Sequence, residues 1–301
     1  MSKGAATPLG GVLNVDKPAG WTSHDVVGRV RRLAGLRQVG HAGTLDPMAT
    51  GVLVLCLGRA TRLLEYLTGQ PKSYLAEVTL GATTDTYDAE GEIVDRRPVP
   101  VLTHEQLDVA LGAFRGEIMQ QPPAYSALKR DGVPLYKRAR AGEQVEVEPR
   151  PVTVYALELL GFDGQTAQLR IRCGAGTYVR SIAHDLGQAL GCGGHLSALR
   201  RTAVGPFTVD DAVTLERLAE TGVLPDALLP ADAAVAHLPQ VEMDAADAAR
   251  LLQGQAIASA APQPPGPARA YGPDERFLGI VAFDLRRQVW RPQKMLAGPG
   301  D

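Results

Sequence analysis

The stretch Gly40-His41-Ala42-Gly43-Thr44-Leu45-Asp46-Pro47-Met48-Ala49-Thr50-Gly51 runs directly into Val52-Leu53-Val54-Leu55-Cys56-Leu57. The second half is an uninterrupted apolar run, the pattern of a strand covered on both faces. The first half packs glycines, a proline, a histidine and an aspartate ahead of it. A loop rooted on a rigid strand in this way can hold one side chain in a fixed orientation at a cleft. The same residues also suit a tight turn, with Asp46-Pro47 as ordinary turn chemistry.

Upstream, Gly11 to Val15 reads as a short strand and Asp16-Lys17-Pro18-Ala19-Gly20 as a turn. Ser23 is placed to cap a helix carrying Val26, Val30 and Leu33, and Gly35 to end it. Downstream, Tyr74, Ala76, Val78 and Leu80 alternate with Leu75, Glu77 and Thr79, the period of a strand with one wet face. Thr103 and Gln106 form a capping box before Leu107, Ala110, Leu111 and Phe114. Strands are expected over Val152–Leu160 and Ala167–Cys173. Gly174-Ala175-Gly176 then breaks the chain before a helix with Val179, Ile182, Ala183, Leu186 and Leu190 on one face. Strands and helices mix without a regular βαβ repeat, so the fold class is α+β.

The last helix is expected over Thr214–Glu220, and near residue 230 the texture changes. Residues 1–230 read as one large domain and 231–301 as a small, mainly β unit, with strands at Phe277–Phe283 and Val289–Trp290. Within that unit Ser259–Asp274 carries Pro262, Pro264, Pro265, Pro267 and Pro273 and reads as a loop or flexible insertion.

With 301 residues, 45% hydrophobic and 21% charged, the chain is ordinary globular material, not a disordered, collagen-like or coiled-coil protein. The run Val52–Leu57 is far short of the ~20 apolar residues that a membrane helix needs. Met1 to Gly10 has no apolar core and is not read as a signal peptide. Cys56, Cys173 and Cys192 are widely spaced, which fits a reducing cytoplasm. Lys plus Arg number 31 against 33 Asp plus Glu, so net charge names no partner. Locally, Lys129, Arg130, Lys137, Arg138 and Arg140 cluster, as do Arg29, Arg31, Arg32 and Arg37. Either cluster suits phosphates, and either suits a solvated surface.

The Gly40–Gly51 segment resembles the signature of pseudouridine synthases of the TruB type, the bacterial tRNA pseudouridine-55 synthases. Asn14-Val15-Asp16-Lys17-Pro18-Ala19-Gly20-Trp21-Thr22-Ser23 resembles the family's N-terminal motif, and Lys72-Ser73-Tyr74 its tyrosine segment. Gly176-Thr177-Tyr178-Val179-Arg180-Ser181 resembles its arginine motif. Gly191-Cys192-Gly193-Gly194-His195-Leu196 with Leu199-Arg200-Arg201-Thr202 resembles its late motif. The motifs stand in family order across about residues 11–215.

The resemblance implies a pseudouridine synthase fold: a mixed, mainly antiparallel central sheet flanked by helices and loops, with a C-terminal PUA-like RNA-binding domain. The implied reaction converts uridine to pseudouridine at position 55 in the T arm of tRNA. The C1′–N1 bond breaks and C1′ rejoins the same base at C5. This is redox-neutral and donates no group, so it needs no cofactor. One ionised carboxylate can start it, by attacking the nucleoside or by removing the ribose 2′ proton, and the resemblance places that carboxylate at Asp46.

Arg180 is then expected to hold Asp46 through its planar fork. Tyr74 is expected to lie on the uracil ring, with Tyr178 and Leu199 lining the pocket and Lys17 nearby in a structural role. His41 is expected to fill the space left when the base is extruded. The family's RNA-binding insertion corresponds to about residues 121–151 and contains the Lys129–Arg140 cluster. No metal is expected, because His41, Asp46, His184, Cys192 and His195 match no compact ligand spacing. The implied protein acts on the T-arm stem-loop of tRNA with no protein partner and no membrane, as a monomer, in the cytoplasm. A non-catalytic RNA-binding module, a metal-dependent hydrolase and a guide-RNA-directed synthase are the rival readings.

Overall fold

A computed structural model of the chain describes residues 10–123, 125, 147–259 and 263–298, together with the backbone of 129–130 and 133–134. Eleven strands among the described residues form one sheet. Along its main path the order is Val213–Thr214, Gly11–Lys17, Thr50–Leu57, Gly194–Val204, Lys72–Leu80, Thr166–Cys173, Arg150–Phe162 and Gly116–Gln120. Neighbours run antiparallel except at two places: Val213–Thr214 beside Gly11–Lys17, and Thr50–Leu57 beside Gly194–Val204. The sheet is therefore mixed and mainly antiparallel.

The apolar run Val52–Leu57 lies at the heart of this sheet with both faces covered. Leu53, Leu55 and Leu57 pack on Val26, Val27 and Val30 of the helix Ser23–Ala34. Val52, Val54 and Cys56 pack with Leu63, Leu67 and, from the C-terminal part of the chain, Tyr271, Phe277, Ile280 and Leu296. The strand Lys72–Leu80 shows the expected alternation. Tyr74, Ala76, Val78 and Leu80 join a core with Leu107, Leu111, Ile182, Ala183 and Leu186, while Leu75 is 40% exposed on the other face.

One glycine decides how the decisive loop meets the sheet. Gly51 has a left-handed φ of 98°, and a Cβ there would stand 2.2 Å from the Arg201 carbonyl oxygen. Only glycine lets Thr50-Gly51 run beside Arg200-Arg201 in parallel register. That close approach brings Arg201 beneath the loop carrying Asp46.

Three local expectations are corrected. Thr22, not Ser23, caps the first helix: its hydroxyl accepts from Asp25 N, and the Asp25 carboxylate accepts from Thr22 N in return. The buried Ser23 hydroxyl instead serves Leu45, accepting from its N–H at 2.9 Å and donating to its carbonyl at 3.1 Å. The helix near residue 214 is shorter than expected, Leu215–Leu218 with Thr214 as its cap, and it is not the last. Val223–Ala227 and Ala245–Leu252 follow, the latter capped by Asp244.

The third correction concerns the proline-rich stretch, where Gly266–Tyr271 is a strand. It lies inside a five-stranded sheet ordered Gln240–Glu242, Gly266–Tyr271, Phe277–Asp284, Val289–Met295, Ile257–Ala258. Gln240–Glu242 pairs only with Arg269–Tyr271, so Pro267 stands beyond that neighbour, where a strand tolerates a missing N–H. The RNA-binding insertion expected at about residues 121–151 is shorter at its end than expected, because its last two residues already belong to the main sheet. Arg150 and Pro151 already pair with Gln120 and Met119 in the main sheet. Lys129–Arg130 pairs with Val133–Pro134.

Candidate active site

A cavity of about 340 Å³ opens between the Asp46 loop, the strand Lys72–Leu80, the turn before the helix Val179–Ala189, and the strand Gly194–Val204. Asp46, Tyr74, Tyr178, Arg180 and Leu199 all line it, joined by Lys72 and Arg201. Four segments far apart in the chain thus converge on one pocket.

Arg180 and Asp46 meet through two contacts. Arg180 Nε lies 3.0 Å from Asp46 Oδ2, and Nη2 donates to Oδ1 at 3.2 Å. The Arg180 side chain is 6% exposed and that of Asp46 33%. Arg180 also holds a second carboxylate: Nη1 donates to Asp88 Oδ2 at 3.1 Å and to the Thr86 carbonyl at 3.2 Å. Nη2 reaches the Tyr125 carbonyl at 3.0 Å. Asp88 is itself buried, its Oδ1 accepting from Thr86 Oγ1 at 2.6 Å and Glu90 N at 3.1 Å. One guanidinium therefore sits between two carboxylates, only one of which faces the cavity.

Burial raises the Asp46 carboxyl above the ordinary carboxylate value. Arg180 pulls it back down, Asp88 adds to the rise, and Lys17 and Arg201 lower it. Deprotonated Asp46 is consequently a stronger base than a free aspartate.

The loop around Asp46 is tied down by buried cations. Lys17 is 0% exposed, and its Nζ donates to the carbonyls of Pro18, Trp21 and Pro47 at 2.9, 2.6 and 3.1 Å. Burial lowers its pKa to about 8. Lys17 thus ties the Pro18–Trp21 turn to Pro47 in the Asp46 loop and does not line the cavity. Arg201, 1% exposed, donates from Nε to Val52 O at 2.7 Å and from Nη2 to Gly43 O at 3.1 Å. Burial raises the pKa of the Tyr74 hydroxyl, and the Arg201 guanidinium pulls it back down.

On the opposite wall the Gln120 side-chain amide clasps Tyr178, donating to its carbonyl at 2.9 Å and accepting from its N–H at 2.7 Å. Lys72 Nζ donates to the carbonyls of Thr68 and Gln70, and burial lowers it to about 8 as well.

His41 does not line the cavity. Its ring stands edge-on to His24 at a centroid distance of 5.7 Å, and its buried Nδ1 has no hydrogen-bond partner among the described residues. Burial lowers its pKa, which favours the neutral ring. Lys137, Arg138 and Arg140 lie outside the described residues, as do the side chains of Lys129 and Arg130. Among the described residues no group of three or more His, Cys, Asp or Glu side chains is placed to hold a metal ion. No helix of the described residues is long and apolar enough to cross a membrane.

The sequence reading missed two residues of this network, Asp88 and Arg201. Asp88 sits in Asp85-Thr86-Tyr87-Asp88, which looks like turn chemistry. Arg201 carried a usable signal: two residues from Leu199 on one strand, it shares the inward face.

Residues 31–179 match the family profile "TruB family pseudouridylate synthase (N terminal domain)". Residues 180–236 match "tRNA pseudouridylate synthase B C-terminal domain", and 239–286 match "Pseudouridine synthase II TruB, C-terminal". The chain is 52% identical over 281 residues to tRNA pseudouridine synthase B of Aromatoleum aromaticum, covering 91% of this chain and 89% of that protein. It is 45% identical over 294 residues to the Dehalococcoides mccartyi protein of the same name, covering 97% and 98%. Among solved structures it is similar to a Cbf5-Nop10-Gar1 complex, with a TM-score of 0.75, 28% identity, and 97% of this chain and 87% of that chain covered. An H/ACA RNP bound to a substrate RNA containing 2′-deoxyuridine gives a TM-score of 0.74 at 26% identity, covering 97% and 86%.

Proposed function

We propose that this chain, which belongs to the TruB family of pseudouridylate synthases and isomerises uridine to pseudouridine in tRNA, acts at position 55 of the T arm with Asp46 as the reacting carboxylate. The observation that carries this reading is the two-point contact of Arg180 with a carboxylate that still opens onto a nucleoside-sized cavity.

The reaction keeps every atom of the substrate. The C1′–N1 bond breaks, a C1′–C5 bond forms, C5 loses its proton and N1 gains one. Both fragments must stay bound while the base turns, which favours a walled pocket over an open surface. Tyr74 and Leu199 offer the flat and apolar walls for the ring. Asp46 starts the reaction in its ionised form, and Arg180 holds it oriented and charged as the entering base displaces water. Lys17 and Arg201 act indirectly, by fixing the backbone on either side of Asp46.

A stacked uridine must be extruded before it can enter. We place His41 beside the RNA rather than beside the reacting atoms, since a neutral, planar ring can occupy the space that the base leaves. Lys129, Arg130, Lys137, Arg138 and Arg140 are assigned to T-arm phosphates, which position RNA without reading its sequence. The division at residue 230 and a PUA-like RNA-binding role for residues 231–301 belong to the same reading. So does action as a monomer in the cytoplasm, for which the buried, unpaired Cys56, Cys173 and Cys192 are suited.

The test is to incubate the purified protein with an unmodified tRNA transcript and map pseudouridine. A single new pseudouridine at position 55, absent when that position is cytidine, is expected. Modification elsewhere, with position 55 untouched, would overturn the site assignment.

A further inference from the structure

Tyr87 has a left-handed backbone, φ 65°, which an aromatic residue adopts only when its surroundings hold it there. Its ring lies flat on His184, with centroids 3.7 Å apart and planes 16° from parallel. The buried His184 Nδ1 makes no hydrogen bond among the described residues, so this ring is engaged through its face.

The neighbours give the stack its meaning. Arg180 and His184 are four residues apart on the helix Val179–Ala189 and share one side of it. Asp88 and the Thr86 carbonyl dock on Arg180, while Tyr87 docks on His184 one turn further along. The segment Thr86–Asp88 is thus fastened to the helix at two successive turns. Its outer side is fastened to the sheet: Leu196 N donates to the Tyr87 carbonyl at 3.0 Å, and Ala89 N to the Leu196 carbonyl at 2.9 Å.

We propose that the Tyr87–His184 stack is a positioning device: it fixes the register of Asp88 against the helix and so sets where the Arg180 guanidinium meets Asp46. Neither ring lines the cavity, so neither is a catalytic residue. The inference rests on Asp46 being the reacting carboxylate. Without the stack, Thr86–Asp88 gains freedom along the helix axis. Arg180 then divides its donors differently between Asp88 and Asp46, and the carboxylate loses its fixed aim. The effect falls on the chemical step and leaves tRNA binding alone.

The experiment is single-turnover pseudouridine formation by the full chain on an unmodified tRNA transcript at saturating enzyme, with tRNA affinity and thermal melting measured beside it. Tyr87→Gly suits the left-handed backbone but removes the ring. A role in the turn alone predicts an unchanged or faster enzyme. The positioning role predicts a rate lower by roughly tenfold, short of the hundredfold that a 1 Å misplacement can cost. Affinity should stay within about twofold.

Tyr87→Phe, which keeps the ring, should restore the rate. His184→Ala should lose as much as Tyr87→Gly, His184→Phe should not, and the Tyr87→Gly/His184→Ala double variant should be no slower than either single one. Tyr87→Gly at full speed, Tyr87→Phe as slow as Tyr87→Gly, or a loss confined to tRNA affinity would each overturn the proposal. If Tyr87→Gly fails to fold, equal rates for His184→Ala and His184→Phe overturn it instead. Asp46→Asn, assayed alongside, separates the two readings. An active Asp46→Asn overturns the carboxylate assignment and this inference with it. An inactive Asp46→Asn beside a full-speed Tyr87→Gly overturns the stack alone.

Discussion

The walls of the Asp46 cleft and the interior of the C-terminal sheet are both buried, yet they bury opposite kinds of side chain. Around the cleft Lys17, Asp88, Arg180 and Arg201 are all nearly inaccessible, and each is matched by carbonyls or an opposite charge. In the C-terminal sheet the interior is Met243, Leu251, Ile257, Val281, Phe283 and Trp290, while pairs such as Arg250–Asp247 and Arg291–Asp284 stay at the surface. Burying a charge is costly even when it is paired, whereas an apolar core of the same volume is stabilising. The cleft therefore gives up stability to hold charges in place, and the C-terminal sheet does the reverse. Substitutions in the two regions should fail in different ways.

The largest effect is expected at Asp46. Asp46→Asn keeps the shape and removes the charge, so pseudouridine formation should become undetectable while tRNA affinity changes by less than about 1 kcal/mol. Near-normal turnover by this variant would falsify its assignment as the reacting group.

Next comes Arg180→Lys. A lysine keeps the charge but cannot make the fork that reaches both oxygens of Asp46 and Asp88 besides. Single-turnover rate should fall by about 2.7 kcal/mol or more, a hundredfold, as for the loss of one organised contact at a transition state. The pH profile adds an independent sign. If Asp46 reacts in its ionised form, protonating it should stop the reaction, and the rate should fall as pH drops through the Asp46 pKa. That pKa is raised, so the wild-type midpoint should lie above the ~3.9 of a free aspartate. Weakening the lowering pull of Arg180 should shift it further up. A midpoint that moves down in Arg180→Lys would show that Arg180 does not support the ionised form.

In the C-terminal sheet the same severity of change should spare catalysis. Leu251 is fully buried there, and Leu251→Ala should cost about 2–5 kcal/mol of stability. Folded protein, assayed well below its melting temperature, should still turn over within a few-fold of wild type. A tenfold loss of rate without a loss of stability would mean that the two regions are coupled more tightly than their shared apolar core suggests.

The contrast also explains what could be read beforehand. Val52–Leu57 was legible because two buried faces leave a continuous apolar run, and Thr103–Gln106 because a capping box is local. The assignment proposed for Asp46 rests on resemblance, since Asp46-Pro47 alone is also turn chemistry. Asp88 was invisible because its meaning depends on Arg180, 92 residues away, and no local pattern records a contact at that distance. The strand Gly266–Tyr271 was hidden for another reason: Pro267 and the prolines flanking the strand signal a loop, and the short neighbouring strand Gln240–Glu242 leaves Pro267 beyond its pairing. Capping by Thr22 was missed by one residue because Thr22 and Ser23 are both capping types.

The smallest effect is expected where the two regions meet through charge. Lys294 pairs with Glu65 across the seam, and Tyr66 reaches Gln293 at 3.4 Å. Glu65 is 58% exposed and Lys294 32%, so water competes for both. Such pairs are worth about 0–1 kcal/mol, and salt screens them. Beside them Tyr271, Phe277, Ile280 and Leu296 are buried in one core with Val12, Val54, Leu63 and Leu67. If the apolar contact holds the seam, a Glu65→Gln/Lys294→Gln double-mutant cycle should give a coupling below about 1 kcal/mol. Raising the salt should shrink it, and the single-turnover rate should not move. A coupling of several kcal/mol that survives high salt would put a dry ion pair at the seam. The C-terminal sheet would then depend on organised charge just as the cleft does, and the contrast between the two regions would fail at their boundary.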